Sequence, residues 1–296
     1  MKKHLLALAV ATIATGSAFA QANDTLAKVK ASGKIVMGVR ESSAPLSYTL
    51  GDGKYAGYHV ELCERIIKAL APTAKIEYTP VTSANRIPLV QNGTVDIECG
   101  STTNNATRQK DVSFAYTTFV TEVRTAVKVA SGIKSIAQLN GKSLATTTGT
   151  TSVALLRKHE RANGVNFKEV YGKDHADSFL LLESGRADAF VMDDNILAGL
   201  IASSKSPQDY AIVGETLNVE PIAIMVRKDD PTFLKAVDAQ IQGMMKTGEI
   251  NKLYDKWFMN PIPPKNTSVN LAMGNVLKEL IKSPNDKPAE DFNAKK

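Results

Sequence analysis

The sequence predicts an α/β fold built from two similar lobes, and three observations predict it. Short apolar strands alternate with amphipathic helices, which is typical of α/β proteins. The same order of elements occurs twice along the chain, and an extended, β-branched stretch follows each half. One such stretch can take the chain from the first lobe to the second, and the other can bring it back. We therefore expect the C-terminal residues to complete the first lobe. The length of 296 residues is sufficient for two domains.

The first twenty residues have the three parts of a secretory signal. Residues 2–4 (Lys-Lys-His) form a basic start, residues 5–15 an apolar run, and residues 18–20 (Ala-Phe-Ala) a small-x-small cleavage site. The apolar run is shorter than the roughly 20 residues that a membrane-spanning helix needs. The sequence therefore predicts a cleaved signal at residues 1–20 and a mature chain that is soluble outside the inner membrane.

The first half alternates three predicted strands with two predicted helices. In chain order, they are a strand at residues 34–39, a helix at 58–70, a strand at 75–81, a short helix at 86–92 and a strand at 95–99. The longer helix is predicted because Val60, Ile66, Ile67 and Leu70 recur at helical spacing. Before it, glycines at positions 51, 53 and 57 have the wrong spacing for a dinucleotide loop and predict a hairpin-like turn.

The second half repeats this order with a matching joint between helix and strand. Its predicted elements are a strand at residues 141–146, a helix at 151–162, a strand at 166–171, a helix at 178–184 and a strand at 187–192. Leu89-x-x-x-Gly93-x-x-Asp96 in the first half corresponds to Leu181-x-x-x-Gly185-x-x-Asp188 in the second. Glycine after a helix is common, but equal spacing within an equal order of elements favours two similar lobes.

The extended stretches at residues 117–129 and 211–226 define the expected domains. We expect lobe 1 to comprise residues 24–122 and 222–280, and lobe 2 to comprise residues 123–221. The two crossings between them are expected to form a two-strand hinge. Residues 281–296 are polar and charged, and they are expected to be a loosely packed or disordered tail.

Composition and charge exclude several classes of function. The chain is 43 % hydrophobic and 22 % charged, which is ordinary for a globular protein. Its net charge of +6 falls to +4 once the two lysines of the signal are removed, and no Lys/Arg stripe indicates nucleic-acid binding. His59, His159 and His175 are not at a ligand spacing from one another, so no metal site or other cofactor is predicted.

Part of the sequence pattern of a serine enzyme is present, but the accompanying motif and the expected strand are not. Ser131-x-x-Lys134 and Lys246-Thr247-Gly248 match two elements of serine β-lactamases. The third element, Ser-Asp-Asn, is missing, and Lys246 lies among helical patterns instead of on a strand. The sequence therefore does not predict such an enzyme.

The two cysteines, Cys63 and Cys99, lie in a predicted helix and at the end of a predicted strand. In an exported chain they favour one disulfide bond, but two buried thiols fit the sequence equally well.

Cationic and hydroxyl side chains recur where the predicted strands of the first half end. Arg40 follows the first strand, Arg86 the second and Arg108 the third. Each arginine alone is most simply a surface charge, and the Ser/Thr clusters beside them are most simply helix caps. Their recurrence favours a shared cleft, because ligands of open α/β sheets bind outside the carboxyl ends of the strands.

The residue types at this cleft predict a ligand with two carboxylates. An arginine guanidinium matches a carboxylate with two parallel hydrogen bonds. Three such groups facing one cleft repel one another unless an acidic ligand enters, and His175 follows a strand of the second half. There, residues 148–152 (Thr-Gly-Thr-Thr-Ser) also open a helix whose N–H groups can bind an anion, and Asp193 follows a strand.

These residues carry a resemblance that extends over essentially the whole mature chain. The sequence resembles the family 3 periplasmic solute-binding proteins of ABC amino-acid importers, and within them the glutamate/aspartate-binding branch. The stretches that carry it are residues 39–43, 82–89, 98–105, 173–179, 182–188, 192–194 and 248–258. Of these, Ser101-Thr-Thr-Asn-Asn105 and Asp174-His-x-Asp-Ser-Phe179 are the more specific to the acidic-ligand branch.

The resemblance implies a two-lobed periplasmic binding protein fold of type II, with a mixed five-stranded sheet in each lobe. It also implies a role for nine residues. Those expected at the ligand's α-carboxylate are Arg108, Ser101 and Thr103, with Thr151 adding hydrogen bonds from the second lobe. Those expected at its distal carboxylate are Arg40, Ser83, Arg86 and His175. Asp193 is expected to hold the α-ammonium group.

The implied function is periplasmic binding of glutamate or aspartate and delivery to the inner-membrane ABC permease, by a monomer that performs no chemistry and needs no cofactor. Two alternatives on the same fold are a sensing module and a dehydratase-like periplasmic enzyme. The sequence does not rank glutamate against aspartate, because one methylene is worth only about 1–3 kcal/mol in a pocket. Glutamine, asparagine and plain dicarboxylates also remain open.

Overall fold

The structure is a computed structural model of the chain, and it describes residues 24–293. The predicted signal at residues 1–20 lies outside this part. The described chain begins with helix α1 (Thr25–Ser32), whose N-cap Asp24 accepts a hydrogen bond from the backbone of Ala27. None of the helices between residues 24 and 293 has the length and apolarity that crossing a bilayer requires.

The first half contributes seven strands and two helices after α1. In chain order, they are β1 (Lys34–Val39), β2 (Ser42–Ser43), β3 (Ser47–Gly51), β4 (Lys54–Ala56), α2 (Tyr58–Leu70), β5 (Lys75–Pro80), α3 (Arg86–Gln91), β6 (Ile97–Glu98) and β7 (Val112–Phe114). The predicted hairpin is present, since β2, β3 and β4 form a small antiparallel sheet. Helix α2 has the predicted bounds because its apolar face is buried.

Strand β8 (Phe119–Lys128) leads into the second half. The elements that follow it are β9 (Ser143–Thr147), α4 (Thr151–Asn163), β10 (Lys168–Gly172), α5 (His175–Glu183), β11 (Ala189–Asp193) and α6 (Asp194–Ser203). Strand β12 (Tyr210–Ile222) then returns the chain. The C-terminal elements are β13 (Met225–Arg227), α7 (Pro231–Lys246), α8 (Glu249–Tyr254), a turn of π-helix (Asp255–Met259), α9 (Asn275–Lys282) and α10 (Ala289–Asn293).

The two five-stranded sheets have the same arrangement, which confirms the predicted mixed sheets. The first has the order β5-β1-β6-β13-β7, in which β1 is parallel to β5 and β6, and β13 is antiparallel to β6 and β7. The second has the order β10-β9-β11-β8-β12, in which β9 is parallel to β10 and β11, and β8 is antiparallel to β11 and β12. Each sheet thus places three strand carboxyl ends at one edge.

Both sheets are covered on two faces, because successive side chains of a strand point to opposite sides. In β1, Ile35 and Met37 join one apolar cluster and Val36 packs against another. In β11, Val191 and Phe190 likewise belong to different clusters. Each sheet is therefore the middle layer of its own core.

Strands β8 and β12 form the connection between the two sheets. They pair antiparallel from Phe119 opposite Ile222 to Lys128 opposite Tyr210, with one irregularity between Val213 and Asn218. After β12 the chain enters the first sheet as β13. The only regular strand segments that cross between the sheets of residues 24–293 are thus neighbours, as a two-strand hinge requires.

The C-terminal helices α7, α8 and α9 pack into the same apolar cluster as β1 and α2. Phe119 stacks on Phe258, with ring centroids 4.8 Å apart, and Tyr254 stacks on Phe258 at 4.4 Å. Cys63 of α2 and Cys99 after β6 are joined by a disulfide bond, with their Cα atoms 6.4 Å apart. The bridge ties the longest helix of the first half to the strand end that precedes Ser101.

The described part of the polar tail makes hydrogen bonds to the rest of the protein. The backbone of Asn104 accepts a hydrogen bond from Ala289, and Thr117 donates one to Asn285. The side-chain amide of Asn293 both donates to and accepts from the backbone of Val219 in β12. The described part of the tail therefore lies against both the first lobe and the hinge strand.

Candidate functional site

The strand ends of both lobes face one another across a small cavity. It has about 200 Å³ of unfilled space, and its lining residues are Ser83, Arg86, Ser101, Thr103, Thr150, Thr151, His175, Met192 and Asp193. Seven of the nine predicted site residues are in this lining. A larger, mostly apolar cleft lies between the β2–β3 hairpin and α6, and none of the nine lines it.

The other two predicted residues, Arg40 and Arg108, contact the lining directly. Arg40 Nη1 donates to Ser101 Oγ at 3.1 Å. Arg108 Nη1 donates to the backbone oxygen of Thr103 at 2.9 Å, and its Nη2 donates to that of Gly149, in the other lobe, at 3.3 Å. The structure therefore brings all nine predicted residues together, and the three arginines share one site.

Arg86 is buried, and its guanidinium has no hydrogen-bond acceptor in the described part of the chain. It opens α3 after β5, only 2 % of its surface is exposed, and its Nε and Nη1 have no partner among residues 24–293. Burial, together with the positive charges of Arg108 and Arg40, lowers the pKa of Arg86 well below its ordinary value. A buried charge is tolerated when it is paired, so this group is complementary to an anion in the cavity.

Arg108 is nearly as buried, and the only acceptors of its guanidinium in the described chain are neutral backbone oxygens. Burial lowers its pKa, although the carboxylates of Glu220 and Asp193 oppose that shift. No carboxylate within residues 24–293 lies at ion-pair distance from Arg108 or Arg86. Two guanidinium groups of the site thus lack a counter-ion in direct contact among the residues that the structure describes.

Arg40 differs from these two, and the expectation that only a ligand neutralises the three arginines was wrong for it. Its fully buried guanidinium donates from Nη2 to Asp174 Oδ1 at 2.6 Å. Asp174 stands at the start of α5 in the second lobe. Burial opposes ionisation of this carboxyl, but the charge of Arg40 and the hydrogen bond from Ser42 outweigh it and lower its pKa.

His175 contributes a neutral ring to the site. Burial and the neighbouring Arg40 lower its pKa to about 3, so it is uncharged at neutral pH. Its Nδ1 lies 3.0 Å from Thr147 Oγ1, and its Nε2 lies 3.3 Å from Arg40 Nη2. The sequence grouped His175 with the arginines as a partner for carboxylates. The structure allows it to hydrogen-bond but gives it no charge.

Carboxylates occupy the side of the site nearest the hinge. Asp193 ends β11, and its pKa is raised well above the ordinary value by burial, by Glu220 and by Asp194. Glu220, fully buried on β12, accepts hydrogen bonds from Thr103 Oγ1 at 2.5 Å and Thr151 Oγ1 at 2.9 Å. A cation next to Asp193 and Glu220 would relieve this crowding of negative charge.

Three acidic residues of the site, Asp174, Glu220 and Glu98, were not predicted from the sequence. Glu98 is fully buried in β6, and its Oε2 accepts from Thr102 while its Oε1 has no partner within residues 24–293. An acidic residue inside an apolar strand pattern is a usable signal, and it was present at both Glu98 and Glu220. Nothing in the sequence pairs Asp174 with Arg40, 134 positions away.

The residues of the serine-enzyme pattern are not assembled at this site. Ser131 lies on an exposed turn after β8, where its hydroxyl donates to the backbone oxygen of Lys128 at 2.7 Å. Lys246 is the last residue of α7. Neither residue lines the cavity between the lobes.

A two-lobed α/β fold with a polar cavity between its lobes defines a class of binding protein, and the sequence comparison identifies the family. The model of the bacterial extracellular solute-binding proteins, family 3, matches residues 35–260, and the chain belongs to this family.

Two relatives cover nearly the whole chain. The glutamate/aspartate import solute-binding protein of Escherichia coli is 44 % identical over 293 residues, which are 95 % of this chain and 97 % of that protein. The L-glutamate/L-aspartate-binding protein of Pseudomonas aeruginosa is 46 % identical over 275 residues, which are 90 % of this chain and 91 % of that protein. Among solved structures, an ancestral arginine-binding protein bound to arginine superposes with a TM-score of 0.70 at 30 % identity, over 76 % of this chain and 98 % of that one.

Proposed function

We propose that this protein binds an acidic L-amino acid, glutamate or aspartate, between its two lobes and delivers it to an ABC importer. This proposal rests on one observation: positively and negatively charged side chains lie on different sides of the same site. Two buried guanidinium groups, those of Arg86 and Arg108, lack a carboxylate partner in the described chain, while Asp193 and Glu220 crowd negative charge nearby. A zwitterion with two carboxylates and one ammonium group complements both features.

Each charged group of such a ligand has a proposed partner. The distal carboxylate lies against Arg86 and Ser83, whose hydroxyl has no hydrogen-bond partner within residues 24–293, with Arg40 and His175 completing this side. The α-carboxylate lies against Arg108. The hydroxyl groups that would bind it from both lobes are those of Ser101, Thr103 and Thr151. The α-ammonium group lies against Asp193.

The proposed mode of action is closure of the lobes about the paired strands β8 and β12. Residues 24–122 with 222–280 form one closing body, and residues 123–221 form the other. We further propose that residues 1–20 are removed on export, and that the mature protein is a periplasmic monomer that docks on inner-membrane permease subunits. The names of the two relatives, which describe import of glutamate and aspartate, support this assignment.

The site supports binding without chemistry. A general base has to be available at the working pH, and the lowered pKa of His175, about 3, makes its ring a poor proton acceptor at neutral pH. Asp193 and Glu220 are placed to balance a cation. We therefore do not propose the dehydratase-like or sensing alternatives, which no observation on this site favours.

A thermal-shift screen tests this proposal, because a ligand that binds only the folded state raises its melting temperature. The screen uses the twenty amino acids and simple dicarboxylic acids. We expect glutamate or aspartate to give the largest shift, and glutarate and succinate, which lack the ammonium group, to give smaller ones. Product analysis of the same mixtures is the control for turnover. A larger shift with a neutral or basic amino acid, or any turnover, would contradict the proposal.

A further inference from the structure

We propose that Asp174 is the centre of a closure latch, by which we mean the hydrogen-bonded set of Asp174, Arg40 and Ser42 that holds the two lobes together over the cavity. The inference rests on the proposed function, because it assigns to Asp174 a positioning role in the retention of the same ligand. Asp174 does not line the cavity. It acts through Arg40.

The geometry of the latch uses both oxygens of one carboxylate. Asp174 Oδ1 accepts from Arg40 Nη2 at 2.6 Å, and Asp174 Oδ2 accepts from Ser42 Oγ at 2.7 Å. Ser42 Oγ in turn accepts from the backbone N–H of Ala176 at 3.2 Å. Arg40 and Ser42 belong to the first lobe, whereas Asp174 and Ala176 belong to the second. Three hydrogen bonds thus cross the cleft at one place.

The backbones of the two lobes also meet beside this set. A Cβ atom at Gly199 of α6 would lie 2.5 Å from the backbone oxygen of Ala44, two residues after Ser42 in the first lobe. Such an approach leaves no room for water between the chains. The latch is therefore part of a close contact between the lobes, and the hydrogen bonds from Arg40 and Ser42 to the Asp174 carboxylate exist only when the lobes are together.

Arg40 connects the latch to the proposed ligand. Its Nη2 contacts Asp174, its Nη1 contacts Ser101, and its Nε has no partner among residues 24–293. One side of the guanidinium therefore faces the latch and another faces a residue of the cavity. A ligand that fixes this guanidinium also fixes the donor that Asp174 needs, so occupancy of the cavity and closure of the latch stabilise each other.

The latch should slow the release of ligand more than it affects its capture. In the open protein, Arg40 and Asp174 are separate, so the pair contributes little to the encounter. In the closed protein, loss of the carboxylate leaves a fully buried guanidinium without its counter-ion. Removing one partner of a buried hydrogen-bonded charge pair acts mainly on dissociation.

The test uses Asp174→Asn, because asparagine keeps the helix-capping ability at the start of α5 and so preserves the fold. Dissociation of radiolabelled glutamate is measured by chase, association is measured at several ligand concentrations, and the radius of gyration is measured by X-ray scattering with and without ligand. We expect dissociation to be about tenfold faster or more, association to be nearly unchanged, and the saturated variant to be more expanded than the wild type. Ser42→Ala, which removes only the second hydrogen bond, should give a smaller change in the same direction.

Asp177→Asn is the control for capping of α5, because the exposed Asp177 accepts a hydrogen bond from the backbone N–H of Asp174 but makes none to the first lobe in the described chain. Equal effects of the two substitutions, or unchanged dissociation and scattering in Asp174→Asn, would overturn the latch. If wild-type protein binds neither glutamate nor aspartate, the proposed function fails. In that case the latch is judged by scattering of the unliganded proteins, where an expanded Asp174→Asn supports it and identical profiles contradict it.

Discussion

Arg86 is almost completely buried, and two of its nitrogen atoms have no hydrogen-bond partner within residues 24–293, which affects the stability of the unliganded protein. An unpaired buried charge costs free energy of folding, and a flexible apolar side chain of similar length removes that cost. We therefore expect Arg86→Met to keep or raise the melting temperature of the unliganded protein. The same change should weaken glutamate binding by about 3–5 kcal/mol, or roughly a thousandfold.

Thermal unfolding and titration calorimetry measure the two effects of Arg86→Met separately. The control is Arg161→Leu, which removes an exposed arginine of α4 and should change neither quantity appreciably. Loss of several degrees of melting temperature with binding retained would show that Arg86 is structural.

Asp193 gives ligand binding a pH dependence whose sign follows from its surroundings. Burial, Glu220 and Asp194 raise its pKa in the unliganded protein, and a bound ammonium group would lower it by favouring the carboxylate. Affinity should therefore fall as the pH drops through the pKa of free Asp193, and binding near that pH should release protons. Glu220→Gln removes one of the causes of the raised pKa, so the midpoint of this dependence should move to lower pH.

Calorimetry across a pH series, repeated in buffers of different ionisation enthalpy, measures both the affinity and the proton release. Glu215→Gln is the control, because Glu215 lies on the same strand but is exposed. A midpoint that stays in place or moves upward in Glu220→Gln would show that Glu220 does not act on Asp193.

At the level of single residues, sequence and structure agree best on the positive side of the site. Arg40, Arg86 and Arg108 were found from one rule, that ligand residues follow the carboxyl ends of strands. The rule does not predict counter-ions, because Asp174 contacts Arg40 only as a result of how the two lobes are arranged. The predicted charge of the site was therefore too positive, whereas the predicted set of side chains was brought together.

Among the elements, the turn that precedes α4 brings the backbone of the second lobe into close contact with the first. Gly149 has a φ of +82°, and a Cβ atom there would lie 2.7 Å from Ala84 Cα. We expect Gly149→Ala to strain the turn and to hold the lobes apart, which weakens glutamate binding by about tenfold or more, since imperfect closure leaves the buried charges poorly paired.

Gly141→Ala is the matched control for Gly149→Ala. Gly141 also has a positive φ, of +75°, but an added Cβ atom would meet nothing within 4 Å. It should lower the free energy of unfolding by about 1 kcal/mol without changing affinity. Calorimetry and chemical denaturation separate the two quantities, and equal loss of affinity in both variants would mean that backbone strain alone is responsible.

The elements predicted most accurately have a strong apolar pattern of their own. Helix α2 was predicted with its observed bounds, Tyr58–Leu70. Helix α5 begins at His175, three residues before the predicted start, because its first turn is polar and gives no apolar pattern. The strand predicted at 95–99 is regular only at Ile97–Glu98, where β1 and β13 pair with it from both sides. The hydrogen bonds that hold the described part of the tail leave no trace in its composition, because they do not depend on apolar side chains.

For the whole molecule, the repeated order of elements was enough to predict two lobes, since each half contains a complete set of parallel strands and the two crossings return the chain to its start. The relative position of the lobes depends on contacts between residues more than one hundred positions apart, such as Arg40–Asp174 and Thr103–Glu220. Such contacts leave no local pattern in the sequence. The fold was therefore predictable, whereas the closed geometry required the structure.

The cavity is proposed to be complementary to two negative charges and one positive charge. Discrimination between glutamate and glutamine tests this most directly. The two ligands have nearly the same shape, but glutamine leaves the buried guanidinium of Arg86 without a counter-ion, which costs about 3–5 kcal/mol. Titration calorimetry of the wild-type protein should show an acidic amino acid binding at least about a hundredfold more tightly than its own amide. Equal affinity for glutamate and glutamine, and likewise for aspartate and asparagine, would contradict the account.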